Sequence, residues 1–232
     1  RDRVRNCCRR VSSLADGGIF MGKWVLILWL LIFADAQLSG YLQDETSLLE
    51  LQRAGIPEEP FLEAGIGREE SLLYLAFWKD LVWFPLAGPF HGTQEEFFFE
   101  NSWHDQRSYG GERLHEGCDI FGSRSISGYY PVISITDGRV EQIGWLPLGG
   151  WRIGIRSQGG GYFYYAHLSS YGKNFEEGDQ VKAGEVLGFM GDSGYGPQGT
   201  TGQFPPHLHL GIYVRTEEEE EHALNPFPVL QF

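Results

Sequence analysis

The sequence is short of cysteine and of positive charge. Of its three cysteines, Cys7 and Cys8 precede an apolar stretch, so only Cys118 lies beyond it. One thiol forms no internal disulfide, and a disulfide scaffold is excluded. The formal net charge is -13. Residues 1–36 carry six of the basic side chains and three of the acids, leaving 12 basic and 28 acidic residues in the remainder, a balance of -16. A domain this acidic is unsuited to nucleic acid or to an anionic membrane surface. The acidic run Glu217 to Glu221 reads as a solvated loop. No H-E-x-x-H stretch occurs, which excludes a helical zincin site.

The apolar run Trp24 to Phe33 is too short to span a bilayer comfortably. It follows Lys23 and leads into Ala34-Asp35-Ala36, the small-x-small pattern of a signal-peptide cleavage site. The expectation is cleavage after Ala36, with an uncleaved anchor as the rival. The first methionine is Met21, so residues 1–20 read as an over-extended gene start.

Residues 44–84 read as helical. Thr46 or Ser47 caps a short helix through Leu51, and Gly55 stops it. A second helix is expected over 69–84, with Glu69 and Glu70 in its first turn and Pro85 ending it. This segment, 37–85, is read as a prodomain or packing element without chemistry.

From residue 86 the pattern becomes short and strand-like. Pro131 to Thr136 and Val140 to Trp145 flank Asp137-Gly138, a hairpin signal. Trp151, Ile153 and Ile155 alternate with Arg152, Gly154 and Arg156. Tyr162 to His167 follows a turn, and residues 178–191 read as two more strands. The expected fold is mainly β, an antiparallel meander over 86–232.

Of seven histidines, four stand in patterned positions. His207 and His209 alternate with Leu208 and Leu210, so on a strand both imidazoles share the face opposite the core. His115 and Asp119 flank Gly117 and share a face of extended chain. Three protein ligands and one open position define a catalytic zinc site. His115, Asp119 and one histidine of the 207/209 pair supply three; His167 and the other histidine remain for proton transfer. Cys118 reads as a small core residue, with a zinc ligand as the minority role. Tyr162, Tyr164, Trp145 and Trp151 read as packing, with a groove wall as the alternative. His91, His104 and His222 read as ordinary surface or structural histidines.

The runs RLHEGCDIFG at 113–122, PVISITDGRV at 131–140, YYAHLSSY at 164–171, GDQVKAGEVLGFMGDSG at 178–194 and PPHLHLGIYV at 205–214 carry a resemblance. In content and order they resemble the lysostaphin-type, or LytM-like, zinc endopeptidases, over roughly residues 100–230. The resemblance implies zinc ligands at His115, Asp119 and His209, and active-site histidines at His167 and His207. It implies an antiparallel sheet with a peptide groove, and cleavage of peptide bonds in bacterial peptidoglycan. A secreted or wall-associated protein follows, touching membrane only through its export signal or an uncleaved anchor. Cys118 and the long loop 191–206 depart from the compact pattern. That loop is expected either to wall the groove or to connect flexibly. Three rivals remain: a non-catalytic wall-binding or hydrolase-activating relative, a zinc amidase, and a biotinyl-type carrier. The carrier suits the 178–191 run but has no Met-Lys tip, since Lys182 lies in VKAG.

Overall fold

The computed structural model describes residues 50–231 apart from 52, 89–95 and 110, all within the unit Ser47–Phe232. The expected signal peptide and the cap at Thr46 or Ser47 lie outside the described residues, as does His91.

The N-terminal segment is helical, but not as one long second helix. It holds α1 (Glu59–Glu63) and α2 (Arg68–Ser71), followed by 3₁₀ turns at Leu72–Ala76 and Trp78–Asp80. Ser71, Tyr74 and Phe77 are all buried at a spacing of three. That spacing stacks side chains along a 3₁₀ helix and not along an α-helix. The packing therefore overrides the local helix signal. Tyr74 donates its hydroxyl to the Asn225 carbonyl at 2.8 Å, and Phe77 meets Phe163 edge-on with centroids 5.4 Å apart. The segment shares one core with the strands.

Among the described residues twelve strands follow: β1 (Phe97–Phe99), β2 (Gln106–Arg107), β3 (Arg113–Leu114), β4 (Cys118–Gly122), β5 (Pro131–Ile133) and β6 (Gly138–Leu146). Next come β7 (Gly150–Ser157), β8 (Tyr162–Tyr171), β9 (Gln180–Val181), β10 (Val186–Met190), β11 (Leu208–Val214) and β12 (His222–Leu224). A short helix, α3 (Phe227–Leu230), follows. The fold is mostly antiparallel sheet, in the order β1-β4-β11-β8-β7-β6-β9. β2 and β3 form a separate hairpin.

The meander is real for β6, β7 and β8 and fails on either side. β5 pairs with β10 and not with β6, so Asp137-Gly138 closes no hairpin. The Asp137 carboxylate instead accepts from the Ala183 amide at 2.8 Å and from Lys182 Nζ at 2.9 Å. Gly138 is needed for another reason: a Cβ there would lie 2.6 Å from the Arg156 carbonyl oxygen. β11 inserts between β4 and β8.

One sheet face carries Ile120, Ile153, Ile155, Phe163, Tyr165, Leu208, Leu210 and Ile212, each at most 1 % exposed. The other face is left for chemistry. Phe77→Ala should lower unfolding free energy by about 3–5 kcal/mol, measured by urea denaturation. A loss under about 1 kcal/mol would show that the helical segment is not part of this core.

Candidate metal centre and groove

Register builds the site. Antiparallel pairing sets His209 of β11 opposite Asp119 of β4 on one side and Ala166 of β8 on the other. Directly paired residues project to the same face. Cys118 and Ile120 go to the core, so Asp119 goes to the groove. His207, just before β11, keeps the same parity through its bridge to Gly191.

His167 breaks the period. By strict alternation it would face the core, after Ala166 on the groove side. Its φ is +61°, in the left-handed region that non-glycine residues rarely adopt. The ladder between β7 and β8 shifts register here, between Trp151 and Ile153. The extra residue of this bulge brings His167 to the groove and returns Leu168 to the core. The strained backbone is held by a bond from the His167 amide to the Gly149 carbonyl at 2.8 Å.

Five side chains thus meet. His115 Nε2 lies 2.9 Å from His209 Nδ1 and 3.1 Å from Asp119 Oδ1. His209 Nδ1 lies 3.0 Å from the same oxygen, and His207 Nε2 lies 3.7 Å from it. The rings of His167 and His207 are 4.7 Å apart. His115 Nδ1 lies between the Ser102 carbonyl at 3.0 Å and Arg107 Nη2 at 3.1 Å, while its Nε2 points at the other two donors. For His167 and His207 the contact is with a backbone carbonyl alone, which can only accept. Their Nδ1 atoms donate to the Ser193 and Pro205 carbonyls at 2.8 and 2.9 Å. Each therefore offers a free Nε2 lone pair.

The donor set His115, Asp119 and His209 could hold a metal ion. Two imidazoles and a carboxylate suit zinc, whose tetrahedral donors at bonds of about 2.0–2.1 Å stand about 3.3 Å apart. The three edges here are slightly shorter than that. Three such electron-rich atoms this close repel one another unless a proton or a cation lies among them. Gly117 makes the approach feasible, because a Cβ there would lie 2.3 Å from His209 Cε1.

Electrostatics agree with that grouping. Burial works against ionising Asp119, but hydrogen bonds with His115 and His209 outweigh it and hold the carboxyl far below its usual range. Burial, reinforced by His207 and His209, holds His167 well below the usual imidazole value. Burial likewise lowers His207, against an opposing pull from Asp119. Both rings are thereby kept neutral and able to accept a proton down to lower pH than a free imidazole. Burial, then the charges of Asp119 and Glu100, pushes the Cys118 thiol up to about 12. Cys118 is 1 % exposed and reaches the Glu100 carbonyl at 3.3 Å, away from the three donors.

The five residues lie along a groove of about 520 Å³. Tyr162 and Tyr164 line it, contrary to the packing expectation; they sit on the groove parity of β8. Trp145 and Trp151 pack on each other edge-on. The loop 191–206 is tied down and walls the groove through Tyr195. The Gly196 amide donates to the Pro147 carbonyl at 2.9 Å, and Phe204 lies against His167 and His207 with centroids 4.6 and 5.0 Å away. His104 stacks on Trp103, and His222 pairs with Glu219 at 2.9 Å, both apart from the five.

Sequence reasoning missed Arg107. Its Nη2 donates to Asp119 Oδ2 at 2.9 Å, fixing the carboxylate and leaving Oδ1 for the triangle. It stands eight residues before His115 on another hairpin strand, a spacing with no local meaning. The Ser102, Ser193 and Pro205 contacts are backbone carbonyls and leave no signature.

Three donors on the floor of a groove thus form a candidate metal site, beside two imidazoles able to take up and release protons. Residues 113–226 match the family model of peptidase family M23, and this part of the chain is an M23 domain. The chain is similar to the L-Ala–D-Glu endopeptidase of Bacillus subtilis, 44% identical over 136 residues, which is 59% of this chain and 40% of that protein. It is also similar to lysostaphin of Staphylococcus simulans, 34% identical over 120 residues, covering 51% of this chain and 22% of lysostaphin. The chain spans less than half the length of these two relatives. A crystal structure of the lytM protein of Ruminococcus gnavus superposes with a TM-score of 0.62 at 52% identity, over 69% of this chain and 63% of that one.

Arg107→Leu should weaken zinc affinity about 10- to 100-fold, read by competition with a chromophoric chelator. Unchanged affinity would mean that Asp119 needs no support from Arg107.

Proposed function

We propose that the chain is an exported zinc endopeptidase that hydrolyses peptide bonds in bacterial peptidoglycan. The observation that carries this reading is the convergence of His115, Asp119 and His209 beside His167 and His207 on a groove floor. We assign the L-Ala–D-Glu bond first, after the Bacillus relative, ahead of the bond cut by lysostaphin.

His115 Nε2, Asp119 Oδ1 and His209 Nδ1 would hold the zinc. When bound, zinc supplies Lewis acidity, polarising a carbonyl and making a water more acidic. The free Nε2 atoms of His167 and His207 handle the proton traffic that hydrolysis requires. One proton leaves the attacking water and one reaches the leaving amine nitrogen. The Ser193 and Pro205 carbonyls hold both rings in the tautomer that can accept. Tyr162, Tyr164 and Tyr195 give an extended peptide aromatic surface along its path.

We assign residues 86–232 as the catalytic domain and 37–85 as a segment packed on it. Among the described residues, none before Arg107 lines the groove, so this segment supports the fold without filling the site. We assign residues 1–36 to export with cleavage after Ala36, so the exported protein should begin at Gln37 on N-terminal sequencing; recovery of residue 30 would refute cleavage. Among the described residues, no helix is long and apolar enough to cross a membrane.

Zinc-loaded protein incubated with purified peptidoglycan should release fragments bearing new peptide amines, read by mass spectrometry. His209→Ala should lose zinc and activity together, whereas His207→Ala should keep zinc and lose about 100-fold or more in rate. Full zinc and activity in His209→Ala would refute the ligand set. Release of sugar-linked cleavage products would favour the amidase reading.

A further inference from the structure

Beneath the residues that line the groove lies a buried cation without an anion. Arg152 lies on β7 with the parity of Gly154, which pairs with Tyr164 on the groove face. Its side chain is about nine-tenths buried. Nη2 donates to Gln142 Oε1 at 3.2 Å, a neutral amide that balances no charge. Nε and Nη1 are buried without any hydrogen-bond partner. Among the described residues no carboxylate pairs with it. A guanidinium in this state is expensive to bury, and native structures seldom leave one incomplete without a reason.

The nearby acids are already engaged. Arg156, two positions along, binds Glu141 at 2.7 and 2.8 Å and Glu221 at 2.7 Å. Arg107 binds Asp119 at 2.9 Å. The neighbours on which the Arg152 charge acts are the phenols of Tyr162, Tyr164 and Tyr171. Gln142, Tyr162 and Tyr164 all line the groove, so Arg152 lies directly beneath the surface a bound peptide would touch.

We propose that Arg152 is the anion-recognition residue of the groove and receives a carboxylate of the substrate peptide. Gln142 orients the guanidinium, and Nε and Nη1 remain to donate charge-assisted hydrogen bonds. The inference rests on the endopeptidase reading and names its substrate class. β7, β8 and β11 are consecutive in the sheet, so Arg152 stands about 10 Å from His209 at the usual strand spacing. An extended peptide advances about 3.3 Å per residue. The carboxylate therefore belongs within about three residues of the bond that is cut. A glutamate in a peptide keeps one carboxylate free whichever of its two carboxyls is in the amide link. A peptide with glutamate at or beside the scissile bond satisfies Arg152, and a run of glycines does not.

The test uses the full chain and two peptides, L-Ala–D-Glu–L-Lys–D-Ala and the same peptide with its free glutamyl carboxylate converted to carboxamide. Cleavage by the zinc-loaded protein and binding to the metal-free protein, by calorimetry, are both measured. The acid peptide should be favoured by about tenfold or more in each. Arg152→Met should bring the acid peptide down to the level of the amide, and Arg152→Lys should restore part of the preference. Equal handling of both peptides by the wild type overturns the proposal, as does a preference that survives in Arg152→Met. If Arg152→Met does not fold, judged by its thermal melt, the wild-type comparison alone decides. Preferential binding without any cleavage would refute the endopeptidase reading while leaving the anion site standing.

Discussion

One oxygen atom organises this molecule. Asp119 Oδ1 lies within 3.1 Å of nitrogens from both His115 and His209. Placing three electron-rich atoms so close is unfavourable unless a proton or a cation neutralises them, and burial sharpens the cost. Rigid sheet register therefore has to impose the geometry. β4, β11 and β8 lie side by side, and an apolar face anchors them so that a slip of one residue would send every imidazole into the core. The tight β4–β11 approach also explains Gly117, since any side chain there would displace the His209 ring.

The remaining charges follow from that centre. A carboxylate held against histidines needs its second oxygen fixed, and Arg107 fixes it from the β2–β3 hairpin. Farther along the same face, Arg156, Glu141, Glu221 and Arg215 form a closed set of ion pairs. Arg152 lies between these two satisfied groups and belongs to neither. A buried guanidinium under the groove, with no carboxylate paired to it among the described residues, favours an occupant that brings an anion.

The imidazoles show how a protein sets protonation by position. Backbone carbonyls hold the Nδ1 proton of His167 and His207, so two Nε2 atoms turn inward with lone pairs exposed. Burial then keeps His167 and His207 neutral. The bulge at His167 sacrifices a ladder position and strains one residue to add the fourth ring to the cluster. Strain held at such a position persists because the surrounding sheet over-determines it.

Much of this was legible in the order of residues. Alternation along 207–214 separates the histidines from the core leucines, because a strand has period two. The spacing of His115, Gly117 and Asp119 marks one face of extended chain for the same reason. A mostly β region after residue 86 follows from the turns and short apolar runs. What the chain order could not carry is whatever depends on non-local partners. Asp137-Gly138 looks like a hairpin, yet its carboxylate is taken by residues 182–183. The segment 69–84 looks like one α-helix, yet burial of Tyr74 and Phe77 against the sheet winds it as 3₁₀ turns. His167 is visible as a histidine, but only a bulge opposite β7 decides which face it joins. Arg107 and Arg152 are two arginines among many in the sequence. The role of Arg107 arises from the carboxylate the fold brings to it and that of Arg152 from the lack of one, and charge pairing across a sheet is settled by register in three dimensions, which no local spacing encodes.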